Sequence, residues 1–275
     1  MKRRLVRMLA GVAVIYAVAC GAIAAFYRPF LYPAPSTSDP PLPPDAKLVQ
    51  ASPTSRAFRF GPDHAPLTIV YFHGNGQLAE DGFGLARDLA SHGWAVLLPE
   101  YRGYGVSRAS GRPSERALYD DAAALVASLV DGSAAGGTSR IPTTDNDRIV
   151  LMGYSLGTGV CVELASRGLG RALVLLAPYT SIPDVAARRL PMFPMRSLLG
   201  DKLDSESKAA RVQIPAFVAH GDRDDIVPFD MGETLAHTFP KGRFVTVSGA
   251  NHVNMFATDD HLMQKIVDFL LDVAP

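Results

Sequence analysis

Short apolar runs alternate with longer amphipathic segments through most of this chain. The apolar runs, which predict buried strands, lie at 56–60, 67–72, 94–99, 148–153, 172–177, 216–220 and 243–248. The helical patterns between them lie at 78–91, 114–130, 156–167, 229–239 and 260–273. Apolar strands separated by helices predict an α/β fold, a mostly parallel twisted sheet with helices on both faces. The first strand is predicted to pair antiparallel at the sheet edge.

The N-terminus follows a different pattern, with 19 uncharged residues at 8–26. A helix needs about 20 such residues to cross a bilayer. The run is apolar on every face, whereas a helix that packs on a core is apolar on one side. We therefore predict a transmembrane helix. A cleaved signal peptide is the alternative, since small residues at 17–19 and 22–24 offer cleavage sites. A lipidated Cys20 fits less well, because no leucine stands at the usual position before it.

Charges around the apolar run predict its orientation. Lys2, Arg3, Arg4 and Arg7 precede the run, and Arg28 is the charge just after it. Positive charge concentrates on the cytoplasmic side of membrane helices. The rest of the chain is therefore expected on the extracytoplasmic (periplasmic) side.

The sequence divides into three parts. Residues 1–28 form the anchor, and residues 29–47 form a linker with seven prolines, which exclude regular structure and favour an extended spacer. Residues 48–275 have the length of one α/β domain. Within that domain, residues 131–146 are rich in Gly, Ser and Thr and predict an exposed connecting loop.

Composition argues against several classes of ligand. The chain has 27 basic and 27 acidic residues, and this balance gives no sign of a nucleic-acid partner. No phosphate-cradling glycine motif and no Cys/His ligand spacing occurs, so neither cofactor nor metal is predicted. Cys20 lies in the apolar run and Cys161 on a predicted helix, so a disulfide between them is not expected.

The pentapeptide 153–157 matches Gly-x-Ser-x-Gly and joins a predicted strand to a predicted helix. Such a turn holds its serine in a strained conformation with the oxygen exposed above the sheet. Ser155 is therefore the predicted nucleophile. Its general base and orienting acid are expected later in the chain, acid first and histidine second.

Three aspartates compete for the role of the acid after strand 216–220. Asp222, Asp224 and Asp225 all lie where parallel strands end, the edge at which active sites of open α/β sheets assemble. Asp222 is better suited to shaping the turn through hydrogen bonds to the backbone. The other two remain open on position alone.

His252 is the predicted base, because it follows the last strand on a loop from which its ring can reach Ser155. His237 and His261 belong to helical patterns, and His64 and His92 precede the nucleophile. His73 and His220 each begin a His-Gly dipeptide at a strand end, where a structural role is more common.

Glycines after strand 67–72 predict an oxyanion hole. In the stretch 73–77, backbone N–H groups can face a developing negative charge without obstruction. The predicted donors are the N–H groups of Asn75 and of Leu156, the residue after the nucleophile.

These motifs together resemble the α/β-hydrolase superfamily, and within it a membrane-anchored abhydrolase-domain subgroup related to serine aminopeptidase-like hydrolases. The matching stretches, in the family's order, are 71–76, 99–107, 153–159, 178–181, 220–224 and 250–252. One departure is Glu100, where the family often has aspartate. The spacing His-Gly-x-x-Asp-x-x-Val-Pro resembles the family's acid turn and favours Asp224, with Asp225 as the alternative.

The resemblance implies an ester, thioester or amide hydrolase. α/β-hydrolases often carry a cap before the strand at 216, and residues 184–212 occupy that place with an apolar stretch at 190–199. The membrane tether and the short apolar cap favour lipid-like acyl esters or thioesters as substrates. A serine aminopeptidase-like amide hydrolase, holding a substrate amine through Asp204 or Glu206, is one alternative. A non-catalytic membrane-tethered scaffold is the other. Arg102 fits a substrate clamp and a structural ion pair equally well.

Overall fold

The computed structural model describes residues 2–35, 41–131 and 142–275. The predictions for residues 36–40 of the linker and 132–141 of the connecting loop lie outside the described residues.

The described residues contain one sheet of eight strands, in the order β1-β2-β4-β3-β5-β6-β7-β8. The strands are β1 Lys47–Ser52, β2 Ser55–Phe60, β3 Thr68–Phe72, β4 Ala95–Pro99, β5 Ile149–Tyr154, β6 Ala172–Leu176, β7 Ala216–Gly221 and β8 Gly242–Val247. β2 runs antiparallel to both its neighbours, and the pairs from β4 through β8 are parallel. Every residue of β3, β4 and β6 is buried, because helices cover both faces of the sheet.

Eleven α-helices occur in the described parts of the chain. They are α1 Lys2–Phe26, α2 Arg28–Leu31, α3 Phe83–Ser91, α4 Glu115–Asp131, α5 Leu156–Ser166, α6 Ile182–Arg189, α7 Met195–Leu198, α8 Glu206–Ala209, α9 Phe229–Thr238, α10 Met255–Thr258 and α11 Leu262–Val273. One face of the sheet packs on α4, α5 and α9, and the other packs on α3 and α11. The α/β-hydrolase fold predicted from the sequence is confirmed.

Two sequence predictions at the start of the domain were wrong. β1 was missed, and it takes the edge position expected for 56–60, although that strand is antiparallel as predicted. The residues of β1 mix exposed, half-buried and buried positions, so they show no clear apolar run. The helical turn α2 lies where prolines were expected to exclude regular structure. Pro29 is tolerated there because it stands in the first helical turn, where a missing N–H breaks no bond.

α1 is the one helix of the described residues long and apolar enough to cross a membrane. It has 25 residues, and none of them is buried. Its C-terminal extension packs on the globular domain, since Tyr32 belongs to the core on the α5 side of the sheet. Length and composition allow a membrane span or a signal sequence.

The predicted site residues lie at the carboxyl ends of the parallel strands. β3, β5, β7 and β8 are followed by the loops that carry Asn75, Ser155, Asp224 and His252. Because these strands are parallel, all four loops emerge at the same edge of the sheet.

Candidate active site

Ser155 lies on a tight turn between β5 and α5. Its backbone has φ 48° and ψ −115°, a conformation that residues other than glycine rarely adopt. The turn depends on close approach at both flanking glycines. A Cβ on Gly153 would lie 2.6 Å from the carbonyl carbon of Gly157, and a Cβ on Gly157 would lie 2.1 Å from the carbonyl oxygen of Phe72. Sheet and helix together therefore hold the strained serine at the start of α5.

The imidazole of His252 lies against the serine. Its Nε2 is 3.0 Å from Ser155 Oγ, and its Nδ1 is 2.7 Å from Asp224 Oδ2. The hydroxyl of Tyr154 donates a 2.8 Å hydrogen bond to the carbonyl oxygen of His252, which ties the loop after β8 to the serine turn. Both Ser155 and His252 are nearly buried, at 8% and 6% exposure. Serine, histidine and aspartate therefore form one continuous chain of polar contacts.

The side chain of Asp224 is fully buried and completely satisfied. Oδ1 accepts hydrogen bonds from the N–H groups of Ile226 and Val227, both at 2.8 Å. Oδ2 contacts His252 and also lies 3.1 Å from Nε2 of His220. Burial acts to raise the pKa of Asp224, but the hydrogen bonds from His220 and His252 outweigh it and hold that pKa well below its usual value. The carboxylate is therefore ionised and can accept a hydrogen bond from an N–H at His252 Nδ1.

The predicted oxyanion donors flank the serine. Leu156 is the first residue of α5, where a helix leaves its N–H without an internal partner. Within the described part of the chain, the N–H groups of Asn75 and Leu156 donate no hydrogen bond to another protein group. Both residues line the same pocket as Ser155 and His252. Two N–H groups are thus free to bind an oxygen at this pocket.

The pocket above the serine has a volume of about 350 Å³ and a largely apolar lining. Its lining residues are Leu31, Asn75, Gln77, Tyr154, Ser155, Leu156, Tyr179, Ile182, Val185, Ala186, Ile226, Val227, His252 and Val253. The walls include residues of the four loops after β3, β5, β7 and β8, together with helix α6 of the predicted cap and Leu31 of α2. A substrate carbonyl that enters this pocket meets the serine oxygen beside apolar surface.

The alternative candidates lie elsewhere. Asp225 is exposed, and Asp222 accepts a 2.7 Å hydrogen bond from the N–H of Gly249, which shapes the neighbouring loops. Arg102 pairs with Asp121 and donates to Thr54, so it is a structural ion pair and not a substrate clamp. Asp204 and Glu206 line a separate surface pocket. They do not line the pocket above Ser155.

Sequence reasoning placed His220 in a structural role and missed its contact with the acid. Its Nε2 lies 3.1 Å from both Asp224 Oδ2 and the carbonyl oxygen of Val227, two acceptors that require a proton on this nitrogen. The spacing of four residues between His220 and Asp224 was the available signal. His73 is also structural, since its Nε2 lies 3.0 Å from the buried carboxylate of Glu100.

Comparison with known proteins gives consistent matches. A model of the Alpha/beta hydrolase family matches residues 69–207. An uncharacterized protein of Mycobacterium tuberculosis is 35% identical over 98% of this chain and 96% of its own. Alpha/beta hydrolase domain-containing protein 17C of Xenopus tropicalis is 30% identical over 76% of this chain and 63% of its own. The solved esterase Pf2001 of Pyrococcus furiosus is similar in fold, with a TM-score of 0.67 at 16% identity over 88% of this chain and 100% of that one.

Proposed function

Because this chain belongs to the α/β hydrolase family, we propose that it is a membrane-anchored serine hydrolase that cleaves ester or thioester bonds of lipid-like acyl substrates. Membership of the family supports a hydrolase. The contact from Ser155 through His252 to the buried carboxylate of Asp224, at 3.0 and 2.7 Å, is the observation that carries the serine mechanism.

The proposed reaction has two halves. Ser155 Oγ attacks the substrate carbonyl carbon while His252 Nε2 takes its proton, and Asp224 stabilises the resulting imidazolium. The N–H groups of Leu156 and Asn75 bind the oxyanion. His252 then returns the proton to the leaving alcohol or thiol, which leaves an acyl-serine. Water, deprotonated by His252, then attacks the acyl carbon, and the carboxylic acid leaves as His252 returns the proton to Ser155 Oγ.

The pocket favours an acyl ester over a peptide substrate. An aminopeptidase needs a carboxylate to hold the substrate amine, and no acidic side chain is among the described residues that line the pocket. Apolar side chains from α2 and α6, such as Leu31, Ile182 and Val185, suit an acyl group instead. The polar contacts of the serine likewise disfavour a scaffold without catalysis.

α1 supplies the proposed membrane anchor. The three-part division proposed from the sequence places residues 1–28 in the anchor, 29–47 in the linker and 48–275 in the catalytic domain. The positive charges before α1 support a catalytic domain on the extracytoplasmic side. The apolar run continues past the small-residue sites at 17–19 and 22–24, which supports an anchor that is retained after synthesis.

Labelling with a fluorophosphonate probe tests the mechanism, because the probe reacts with an activated serine. Purified full-length protein should become labelled, and Ser155→Ala should not. Ser166→Ala is the matched control, since Ser166 lies at the far end of the same helix and its hydroxyl only donates to the carbonyl of Glu163. The control should be labelled like the unmodified protein.

A panel of p-nitrophenyl esters, acyl thioesters, monoacylglycerols and aminoacyl amides then identifies the bond that is cleaved. Turnover of esters or thioesters that is lost in Ser155→Ala is the expected result. Labelling of Ser155→Ala at the control level would remove Ser155 from its role, and turnover confined to aminoacyl amides would favour the peptidase.

A further inference from the structure

A long apolar groove runs between the anchor and the cap. Its volume is about 700 Å³, twice that of the pocket above Ser155. One wall comes from α1 and α2, through Ala22, Ile23, Phe26 and Phe30. The opposite wall comes from the cap helices, with Leu190 and Leu199 among its residues. Apart from Asn75, Arg189 and Tyr27, the lining side chains are apolar.

The groove is continuous with the pocket above the serine. Five residues line both spaces: Leu31, Asn75, Ile182, Val185 and Ala186. Asn75 carries one of the free N–H groups beside the serine. A chain that lies in the groove can therefore place its carbonyl end at Ser155 without leaving apolar surroundings.

Specific contacts hold the anchor against the cap and so build the groove. Arg28 forms two 3.0 Å hydrogen bonds with the carboxylate of Asp201. The N–H of Asp201 donates to the hydroxyl of Tyr27 at 2.9 Å. Farther along α1, the hydroxyl of Tyr16 donates a 2.7 Å hydrogen bond to the carbonyl oxygen of Met192.

The contact at Tyr16 also shows how far the cap extends along α1. Tyr16 lies about 15 Å before the end of α1 at the rise of an α-helix. The hydrocarbon core of a bilayer is about 30 Å thick. At the cap tip, Leu190 and Met192 are exposed at 42% and 66%, and the ring of Phe193 stacks on Tyr16. If α1 spans the bilayer, the mouth of the groove faces the acyl region of the adjacent leaflet.

We propose that this groove binds the acyl chain of a bilayer lipid ester, which enters between anchor and cap and places its carbonyl at Ser155. The N-terminal helix is then a wall of the substrate site as well as a tether. This assignment rests on the proposed serine-hydrolase function and membrane anchoring. It adds the direction of entry and the residues that select chain length, chiefly Ala22, Phe26 and Phe30.

The test uses full-length protein in phosphatidylcholine vesicles, with p-nitrophenyl acetate and p-nitrophenyl palmitate as substrates. The readout is the ratio of kcat/KM for palmitate to that for acetate. Ala22→Trp places an indole in the groove. Ala24→Trp makes the same change about 200° around the helix, at a residue that does not line the groove.

The palmitoyl chain needs the groove and the acetyl group does not, so an obstruction that costs about 1.4 kcal/mol of palmitoyl binding lowers the ratio by about ten-fold. We expect that loss in Ala22→Trp, and a ratio close to the unmodified protein's in Ala24→Trp. Phe30→Ala removes a wall side chain outside the helix that crosses the membrane, and it should lower the ratio without adding bulk.

The outcomes separate the two proposals. An unchanged ratio in both Ala22→Trp and Phe30→Ala would overturn the groove assignment while leaving the serine mechanism intact. An equal loss in Ala24→Trp would also overturn it, because the effect would not depend on the groove. Unmodified protein that neither cleaves acetate nor reacts with the fluorophosphonate would overturn the proposed function, and the acyl-chain site with it.

Discussion

The carboxylate of Asp224 is shared by two histidines, and this separates it from its neighbours. His252 and His220 both contact Oδ2, while two backbone N–H groups hold Oδ1. Asp225, the next residue, is exposed. Since each lone pair of Asp224 has a donor, its orientation is fixed before any substrate binds. The residue can set both the tautomer and the direction of the His252 ring.

Replacing the two aspartates separately tests this distinction. Asp224→Asn should lower kcat by about 10³–10⁴-fold, because an amide cannot stabilise the imidazolium or select the right tautomer. Asp225→Asn should leave kcat nearly unchanged. The measurement is steady-state hydrolysis of a p-nitrophenyl ester. A larger loss in Asp225→Asn would assign the acid to that residue.

The depressed pKa of Asp224 predicts a specific dependence of stability on pH. A carboxyl with a lower pKa in the folded state binds fewer protons there than in the unfolded state. Its contribution to stability is therefore complete above the unfolded value, about 3.9. The contribution is lost as the pH falls from there through the folded pKa.

Denaturant unfolding of the unmodified protein and of Asp224→Asn at several pH values measures this contribution. The difference in stability should stay constant above about pH 5 and shrink as the pH falls below about 4. A difference in stability that does not change with pH down to 2 would mean that the fold does not lower the pKa of this carboxyl group.

At the scale of elements, the turn between β5 and α5 depends on the absence of two side chains. Gly157→Ala would place a methyl group against the carbonyl oxygen of Phe72, and backbone cannot move aside as a flexible side chain would. We expect a loss of about 1–3 kcal/mol in stability and lower turnover, because the serine moves with the turn. Thermal unfolding and ester hydrolysis measure the two effects.

Gly84→Ala is the matched control in helix α3. A Cβ there meets no atom within 4 Å, and the substitution should stabilise the helix by up to about 1 kcal/mol. Equal effects of the two substitutions would show that close packing at the turn is not what constrains it.

The elements that could be read from the sequence are those with strong periodicity. β3 to β7 and the longer helices have clear apolar faces, and β8 carries a run of β-branched and aromatic residues, so their positions along the chain and the loops that carry Ser155, Asp224 and His252 followed from pattern. β1 lacked that signal, because its burial depends on its pairing with β2. α2 was hidden by Pro29, which is compatible with a first helical turn.

Contacts that join distant parts of the chain could not be read in this way. The pair between Arg28 and Asp201 depends on how separate segments of the chain pack after folding. For the same reason, sequence alone predicted a spacer between anchor and domain, whereas the structure packs Tyr32 into the core. Periodicity describes single elements, and these features belong to surfaces where elements meet.

At the scale of the whole molecule, the orientation of the anchor is open to a direct test. Ser207 is exposed on α8 and Lys2 is exposed at the start of α1. In a bacterial host, Ser207→Cys should react with a membrane-impermeant maleimide in intact cells, because the domain is expected outside the cytoplasm. Lys2→Cys should react only after lysis. The reverse pattern would place the domain in the cytoplasm.

The unmodified chain is the background control for this labelling, since Cys161 is buried and Cys20 lies within α1. The mass of the mature protein completes the test. It should include residues 1–28 when the anchor is retained, whereas cleavage near 17–19 or 22–24 would shorten it.

Contacts at two heights, through Tyr16 on α1 and through Arg28 at the start of α2, fix the orientation of the domain relative to the axis of α1. Tilt of a membrane helix follows the thickness of the surrounding bilayer. If α1 spans the bilayer as proposed, a thinner or thicker membrane would move Ser155 nearer to or farther from the plane of the lipid ester groups. Lipid composition would thereby act on turnover through geometry, with no second ligand required.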